Sequence, residues 1–143
     1  MSPRGGRRAA HTSILVGAVA VGVALGSQIE FSGGPTCRIV DLDDRRHARI
    51  LDHAHDAIDR GLAERLTIDR DEAAGNRRLS LRGIPTRADF DRDEYPPATA
   101  DEGGKGASVR YVRSSENRSA GARLALELRG LPEGACFRYE ARP

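Results

Sequence analysis

The segment from Gly83 to Pro97 constrains the fold of this chain most strongly, because it sets four carboxylates and two arginines among loop-forming residues. Its sequence is GIPTRADFDRDEYPP. Pro96 and Pro97 remove two backbone N–H donors and prevent a helix at its C-terminal end. We therefore predict an acidic loop here. A solvated surface loop is the ordinary explanation for such a segment. The neighbouring segments therefore determine whether it is assigned a function.

Three segments follow this acidic loop in an informative order. A second acidic cluster with three glycines spans 101–106. Residues 107–113 alternate in the manner of a strand, and we predict a central strand there. Asn117 or Ser119 can cap a helix that runs to about Arg129, with Gly130 as its end. An acidic loop, a strand and a helix beginning with Asn and Arg are the parts of a one-metal phosphodiesterase site.

The rest of the chain predicts one small α+β domain. Apolar residues at helical spacing indicate a helix from Asp43 or Asp44 to about Arg60, which Gly61 ends. Residues 79–81 alternate like a strand, and we predict a polar loop over 69–78 before them. Further short strands are predicted at 37–40, 66–68 and 135–139. The predicted architecture is a small antiparallel sheet with two main helices.

Three histidines, His47, His53 and His55, fall on the first predicted helix. His53 and His55 are two residues apart and point in different directions, which prevents them from binding one metal ion from one helix face. We predict that the three histidines are exposed.

Residues 1–26 form a separate unit. Three arginines without an acid precede an apolar and glycine run from Ile14 to Leu25, which is the order of a secretory signal. The run is shorter than the roughly 20 apolar residues of a typical membrane span. We predict a signal peptide at 1–26, a flexible lead-in at 27–36 and one domain at 37–143. An uncleaved membrane anchor is the alternative to secretion.

The chain has two cysteines, Cys37 and Cys136, near the two ends of the predicted domain. An even count in an exported protein predicts a disulfide. Closing so long a loop would stabilise the fold by roughly 4 to 5 kcal/mol in the chain-entropy model. Two unpaired buried thiols are the alternative.

The charge of the chain is close to balanced. The whole sequence has 23 basic and 21 acidic residues, and the part after residue 26 has 20 and 21. A strong nonspecific nucleic-acid binder carries a basic excess. The charges are instead segregated, with 12 basic and 16 acidic side chains in residues 27–101 and 8 and 5 in residues 102–143. An acidic first part and a basic last part suit a site in which carboxylates hold a cation while arginines approach phosphates.

Several segments, in one order and with similar spacing, resemble the small secreted deoxyribonucleases of the NucA/NucB family. They lie at 67–69 (TID), 81–86 (LRGIPT), 90–96 (FDRDEYP), 102–112 (EGGKGASVRYV) and 117–121 (NRSAG). The resemblance implies a ββα-metal nuclease core, in which two strands and a helix enclose one divalent cation, Mg²⁺ or Mn²⁺. It implies endonucleolytic cleavage of DNA, with RNA as a further substrate, by a monomer without a stable protein partner.

The family resemblance also assigns the general base. Larger related nucleases place a histidine after Asp-Arg-Gly, whereas this chain has Asp91-Arg-Asp-Glu94 and no histidine in that segment. The base must then be a carboxylate that reaches the attacking water. We predict Asp93 as the base, with Glu94 as the alternative and Arg92 as a neighbouring catalytic cation. Each acid has a second explanation, as a metal ligand or as an ion-pair partner of Arg92.

The remaining site residues are predicted from the same motifs. Asn117 corresponds to the metal-binding asparagine of the family helix, although a helix cap would also explain it. Glu127 and Glu102 are further candidates for metal ligands, because hard cations prefer oxygen. Arg118 and Arg110 are predicted to bind phosphate, which guanidinium matches in a bidentate way.

The leading hypothesis is a secreted, metal-dependent endonuclease without sequence specificity. A catalytically inactive, membrane-anchored or cell-surface binding module on the same scaffold is the alternative, motivated by the apolar leader and by the absence of tryptophan. A calcium-binding surface protein is a third hypothesis, but the acidic segments lack the regular ligand spacing of an EF-hand.

Overall fold

The computed structural model describes residues 36–140, which belong to one compact unit, Gly33–Pro143. The predicted signal peptide and nearly all of the predicted lead-in lie outside the described residues. Three helices and five strands follow one another along the described chain. They are β1 (Arg38–Val40), α1 (Ala48–Asp59), β2 (Leu66–Thr67), α2 (Ala73–Ser80), β3 (Phe90–Tyr95), β4 (Ser108–Arg113), α3 (Ser114–Glu127) and β5 (Cys136–Tyr139).

The strands form two sheets, which confirms the predicted α+β class. The first sheet has the order β1-β5-β2, with β5 parallel to β1 and antiparallel to β2. The second sheet is the antiparallel hairpin of β3 and β4. The prediction of β4 as a central strand is wrong, since within residues 36–140 it pairs with β3 alone.

The predicted acidic loop is wrong at its centre, because Phe90–Tyr95 is a strand. All six of its residues pair with β4, from Phe90 opposite Arg113 to Tyr95 opposite Ser108. Acidic residues are depleted in strands, but here Asp91 and Asp93 lie on one face, Glu94 lies on the other, and each carboxylate has a partner on a different helix. The hairpin leads directly into α3, so the chain contains a ββα unit in the order that the family resemblance implies.

The predicted polar loop at 69–78 and strand at 79–81 are also wrong, because Ala73–Ser80 forms helix α2. Tertiary contacts hold this helix against the segment that follows β3. The Asn76 side-chain amide donates to the carbonyl oxygens of Ala98 and Ala100, at 3.2 and 3.1 Å. The backbone N–H of Leu81 then closes the helix on the carbonyl of Arg77.

The two other helices differ from their predictions mainly at their first residues. Asp43 forms a separate turn, in which its carboxylate accepts from the backbone N–H groups of Arg45 and Arg46, and α1 begins only at Ala48. Helix α3 begins at Ser114, before the predicted caps Asn117 and Ser119. These shifts put Asn117 inside the first turn of α3, where its side chain faces the hairpin.

The core lies between the two sheets and the helices. Between residues 36 and 140, fifteen apolar residues are buried, among them Leu66, Ile68, Tyr95, Val112 and Phe137. A disulfide joins Cys37, just before β1, to Cys136 at the start of β5, which confirms the predicted pairing. In the part of the chain that the structure describes, no helix is long and apolar enough to span a membrane.

Candidate active site

A polar cavity of about 420 Å³ opens beside the ββα unit. Its walls come from β3, from α3, from the end of α2 and from single residues of α1 and β5. The polar side chains that line it include Asp91, Arg92, Asp93, Glu94, Asn117 and Arg118. The structure therefore gathers in one cavity most of the residues that the sequence singled out.

Asp93 occupies the middle of β3 and is nearly buried, with 15% of its side chain exposed. Its Oδ2 lies 2.6 Å from Nδ1 of His53, a residue of α1 that is fully buried. Because a carboxylate only accepts hydrogen bonds, Nδ1 of His53 is the donor. Within residues 36–140, Oδ2 is the one oxygen of Asp93 that has a protein donor, so Oδ1 is left for a water molecule.

The other ring nitrogen of His53, Nε2, is also hydrogen-bonded. Nε2 of His53 lies 2.9 Å from the hydroxyl of Ser108 on β4, and Arg60 donates to the same hydroxyl at 3.0 Å. With Nδ1 protonated, Nε2 accepts the Ser108 proton, so donors run in one direction from Arg60 through Ser108 and His53 to Asp93. This chain fixes both the tautomer of His53 and the orientation of Asp93.

Burial raises the pKa of the Asp93 carboxyl, and the hydrogen bond from His53 opposes that rise. Glu94 also raises this pKa, whereas Arg110 lowers it. The net direction is upward, which makes Asp93 a stronger base than an exposed aspartate.

Glu94 points to the other side of β3 and is buried against α2. Arg77 donates to its Oε1 at 3.0 Å, and the hydroxyl of Ser80 donates to its Oε2. Both oxygens are thus engaged by protein donors. Of the two candidate bases, Asp93 is the one with an oxygen that a water molecule can approach.

Asp91 and Asn117 meet where the hairpin joins α3. The carboxylate of Asp91 accepts from Ser114 at 2.8 Å and from two nitrogens of Arg118 at 3.0 and 3.2 Å. A hydrogen bond from Asn117 and these donors lower the pKa of Asp91, the bond from Arg118 most strongly. Asp91 is therefore a fixed anion beside the Asn117 side chain, and both line the cavity.

Two predicted metal ligands lie outside this cavity lining. Glu102 accepts from the backbone N–H and the hydroxyl of Thr67, which ties the glycine segment to β2. Glu127 forms ion pairs with Arg123, at 2.7 Å, and with Arg38, at 4.0 Å. Both glutamates have structural partners where the structure places them.

The predicted arginines divide into two groups. Arg118 lines the cavity with 75% of its side chain exposed, and Arg92 lines it while donating to the carbonyl oxygen of Ile84. Arg110 lies outside the cavity lining and is paired with Asp56 of α1. Arg118 and Arg92 are consequently the better placed of the three for phosphate.

The prediction of exposed histidines is wrong, since His53 and His47 are buried and His55 is half-buried. His53 is 0% and His47 4% exposed, and burial lowers the pKa of His47. His53 lies three residues after Ile50 and four before Ala57, so it shares the buried face of α1. The same periodicity that predicted the helix would have identified His53 as an inward-facing imidazole.

The donor chemistry of the cavity suits a hard divalent cation. Asp91, Glu94 and Asn117 offer carboxylate and amide oxygens, which Mg²⁺ and Mn²⁺ prefer. No three His, Cys, Asp or Glu side chains between residues 36 and 140 are placed to hold a metal together. A cation here would depend on one or two of these oxygens and on water, which fits the way Mg²⁺ binds.

Two antiparallel strands followed by a helix, around a cavity with acids, an asparagine and arginines, form the ββα arrangement that the resemblance to nucleases implies. Comparison with known proteins agrees. The family model described as "Deoxyribonuclease NucA/NucB" matches residues 56–138. The DNA-entry nuclease of Bacillus subtilis (strain 168) is 35% identical over 127 residues, which cover 85% of this chain and 86% of that protein. The chain belongs to the NucA/NucB deoxyribonuclease family, and the resemblance is confirmed.

Replacing His53 tests the role of the buried imidazole. We expect His53→Leu, which removes the donor to Asp93, to lower kcat by up to about 10²-fold, because misplacing a reacting group by about 1 Å has an effect of that size. His53→Asn keeps an N–H near the position of Nδ1 and should restore much of the rate. The comparison is made by plasmid cleavage, with circular dichroism to show that both variants are folded. Equal rates for the two variants would contradict a positioning role.

Proposed function

We propose that this protein is an exported, metal-dependent endonuclease that hydrolyses DNA phosphodiester bonds without sequence specificity. The observation that carries the proposal is that Asp93, Asn117 and Arg118 line one cavity of a ββα unit. The family membership supports DNA as the substrate class. RNA is a second substrate that the same phosphate contacts would admit.

Asp93 is the general base in this proposal. Its Oδ1 takes a proton from the attacking water, while His53 holds Oδ2 and keeps the carboxylate in place. The upward shift of the Asp93 pKa supports this role, since a base works best with a pKa near the working pH. The ionised Asp93 accepts a proton without competition from a second protein donor on Oδ1.

One divalent cation completes the site. We propose Asn117 as its protein ligand, together with Asp91, and we omit Glu102 and Glu127 because neither lines the active-site cavity. Such a cation supplies Lewis-acid stabilisation of the charge that develops on the phosphate and the leaving oxygen. Asn117 and Asp91 hold their positions through the hydrogen bonds at the start of α3.

Arg118 and Arg92 would contact the phosphate oxygens. Arg118 is paired with Asp91 at the rim of the cavity and keeps most of its side chain in solvent. Contacts of this kind position the backbone but carry no base information, which accounts for the proposed lack of sequence specificity.

Cleavage of a supercoiled plasmid by residues 27–143 tests the proposal. With Mg²⁺ or Mn²⁺ we expect nicked and then linear DNA, and with excess EDTA we expect no product. Restoring the divalent cation after EDTA should restore cleavage. A folded protein that leaves the plasmid intact under every divalent cation would overturn the proposal and favour the inactive binding module.

We also propose that the protein is exported through the leader at 1–26 and acts as a monomer. The disulfide between Cys37 and Cys136 supports an oxidising compartment. N-terminal sequencing of the protein recovered from its host tests this. A mature N-terminus near residue 27 is the expected result, and an intact Ile14–Leu25 segment on the recovered protein would indicate an anchor instead.

A further inference from the structure

A second and larger cavity, of about 890 Å³, lies along the C-terminal half of α2. Four arginines and one acid are its charged lining residues, and we call it the arginine groove. It is lined by Glu72, Gly75, Arg77, Arg78, Leu79, Leu81, Arg82 and Arg92. We propose that the arginine groove binds the DNA backbone next to the scissile phosphate, a contact that extends the proposed nuclease function and depends on it.

The arginine groove is continuous with the active-site cavity. Arg77, Leu81 and Arg92 line both cavities. If the scissile phosphate of a DNA strand lies beside Asp93, the neighbouring phosphates of that DNA strand would therefore lie in the groove. The groove thus adjoins the active-site cavity through shared residues, and it adds Arg78 and Arg82 beside a cavity whose described lining has three acids and three arginines.

The arginines of the groove keep donors available for phosphate. Arg77 donates its Nε to Glu94 and has 68% of its side chain exposed. Arg92 donates a hydrogen bond from Nη1 to the carbonyl oxygen of Ile84. A guanidinium has five N–H donors, so each of these contacts fixes the side chain and leaves further donors. Arg78 and Arg82 are exposed at the end of α2.

The groove concentrates cations in a chain whose charge is nearly balanced. Residues 27–143 have 20 basic and 21 acidic side chains, so general attraction to DNA is weak. Arg110 and Arg118 are each paired with an aspartate and Arg77 with Glu94, whereas Arg78 and Arg82 form no ion pair within residues 36–140. Because Glu72 is the one acid among the described lining residues of the groove, phosphate can replace solvent around Arg78 and Arg82 there. Arginines near the C-terminus of a helix also interact favourably with the helix dipole. If that were their one role in α2, replacing them would not change the affinity for DNA.

The test uses the double variant Arg78→Ala/Arg82→Ala, because neither residue lines the active-site cavity. Binding of a fluorescent single-stranded 20-mer of DNA is measured by anisotropy in EDTA, so that no cleavage occurs, at several NaCl concentrations. We expect Kd to rise at least tenfold at low salt. The slope of log Kd against log salt should become shallower by about 1.4, since each phosphate contact on a single strand contributes about 0.7.

A matched control removes two exposed arginines elsewhere. Arg45→Ala/Arg49→Ala takes away the same charge from residues that line neither cavity. We expect this variant to shift Kd less than twofold and to leave the salt slope unchanged. If both double variants behave alike, or if Arg78→Ala/Arg82→Ala binds like the wild type, the inference is overturned.

Cleavage of a small ester separates this inference from the proposed function. With Mn²⁺, hydrolysis of thymidine 5′-(p-nitrophenyl phosphate), which is too short to reach the groove, should be equal for wild type and Arg78→Ala/Arg82→Ala. A parallel loss on the ester and on plasmid would place the defect in the active site and overturn the groove. If the wild type binds the 20-mer but never cleaves plasmid, the proposed function fails while the groove stands.

Discussion

Asparagine in place of Asp93 is expected to lower kcat for plasmid cleavage by about 10² to 10⁴-fold, the usual contribution of a general base. Asparagine keeps the size of the side chain and still accepts from His53, but it takes no proton from water. KM for DNA should change little, because the substitution leaves Arg118 and Arg92, the proposed phosphate-binding residues, in place. Initial rates across a range of plasmid concentrations with Mn²⁺ provide the measurement.

Two further variants complete the Asp93 experiment. Asp71→Asn, an exposed aspartate outside both cavities, is the matched control and should retain the wild-type rate. Glu94→Gln breaks the pair with Arg77 and should act mainly on stability. If Asp93→Asn keeps the wild-type kcat while folded Glu94→Gln loses 10²-fold or more, Glu94 and not Asp93 is the general base.

Removal of the disulfide is expected to lower the free energy of unfolding by about 4 to 5 kcal/mol in the chain-entropy model. The bond closes a loop with a sequence separation of 99 residues and joins the segment before β1 to β5. Because β5 is the middle strand of the first sheet, the loss affects both of its neighbours. Urea unfolding of Cys37→Ser/Cys136→Ser beside the wild type measures the difference.

Reduction supplies the control for the disulfide. In dithiothreitol the wild type should unfold at the same urea concentration as Cys37→Ser/Cys136→Ser, and the double variant should not respond to the reductant. If the free energies of unfolding of the oxidised wild type and the double variant differ by less than about 1 kcal/mol, the chain-entropy model does not describe this disulfide.

The sequence pattern predicted β4 and α3 because their signals are local, whereas it predicted a loop in place of β3, and the ββα unit as a whole was implied by the family resemblance. The alternation at 107–113, the asparagine and arginine at the start of α3, and Gly130 after it each depend on a few neighbouring residues. The family resemblance, rather than these local patterns, assigned Asp93 and Asn117 to one site, and both line the same cavity. The disulfide was likewise predictable, since the chain has two cysteines and one pairing.

Helix α2 and the role of Asp91 were not predictable in the same way. Residues 73–80 include a glycine and an asparagine, which favour turns, and the contacts of Asn76 with Ala98 and Ala100 join segments far apart in sequence. In the sequence, the closely spaced carboxylates of β3 indicate a solvated loop, because their partners lie on other elements of the fold. His53 binds Asp93 across 40 residues, so its role emerges only from the packing of α1 on β3.

The position of a bound cation tests the central claim most directly. A crystal of the protein soaked in Mn²⁺ gives an anomalous signal at the metal. We expect one strong peak in the active-site cavity, bound to the side-chain oxygen of Asn117, with a water between the ion and Asp93. A peak at Glu102 or Glu127, with none near Asn117 and Asp93, would contradict the account.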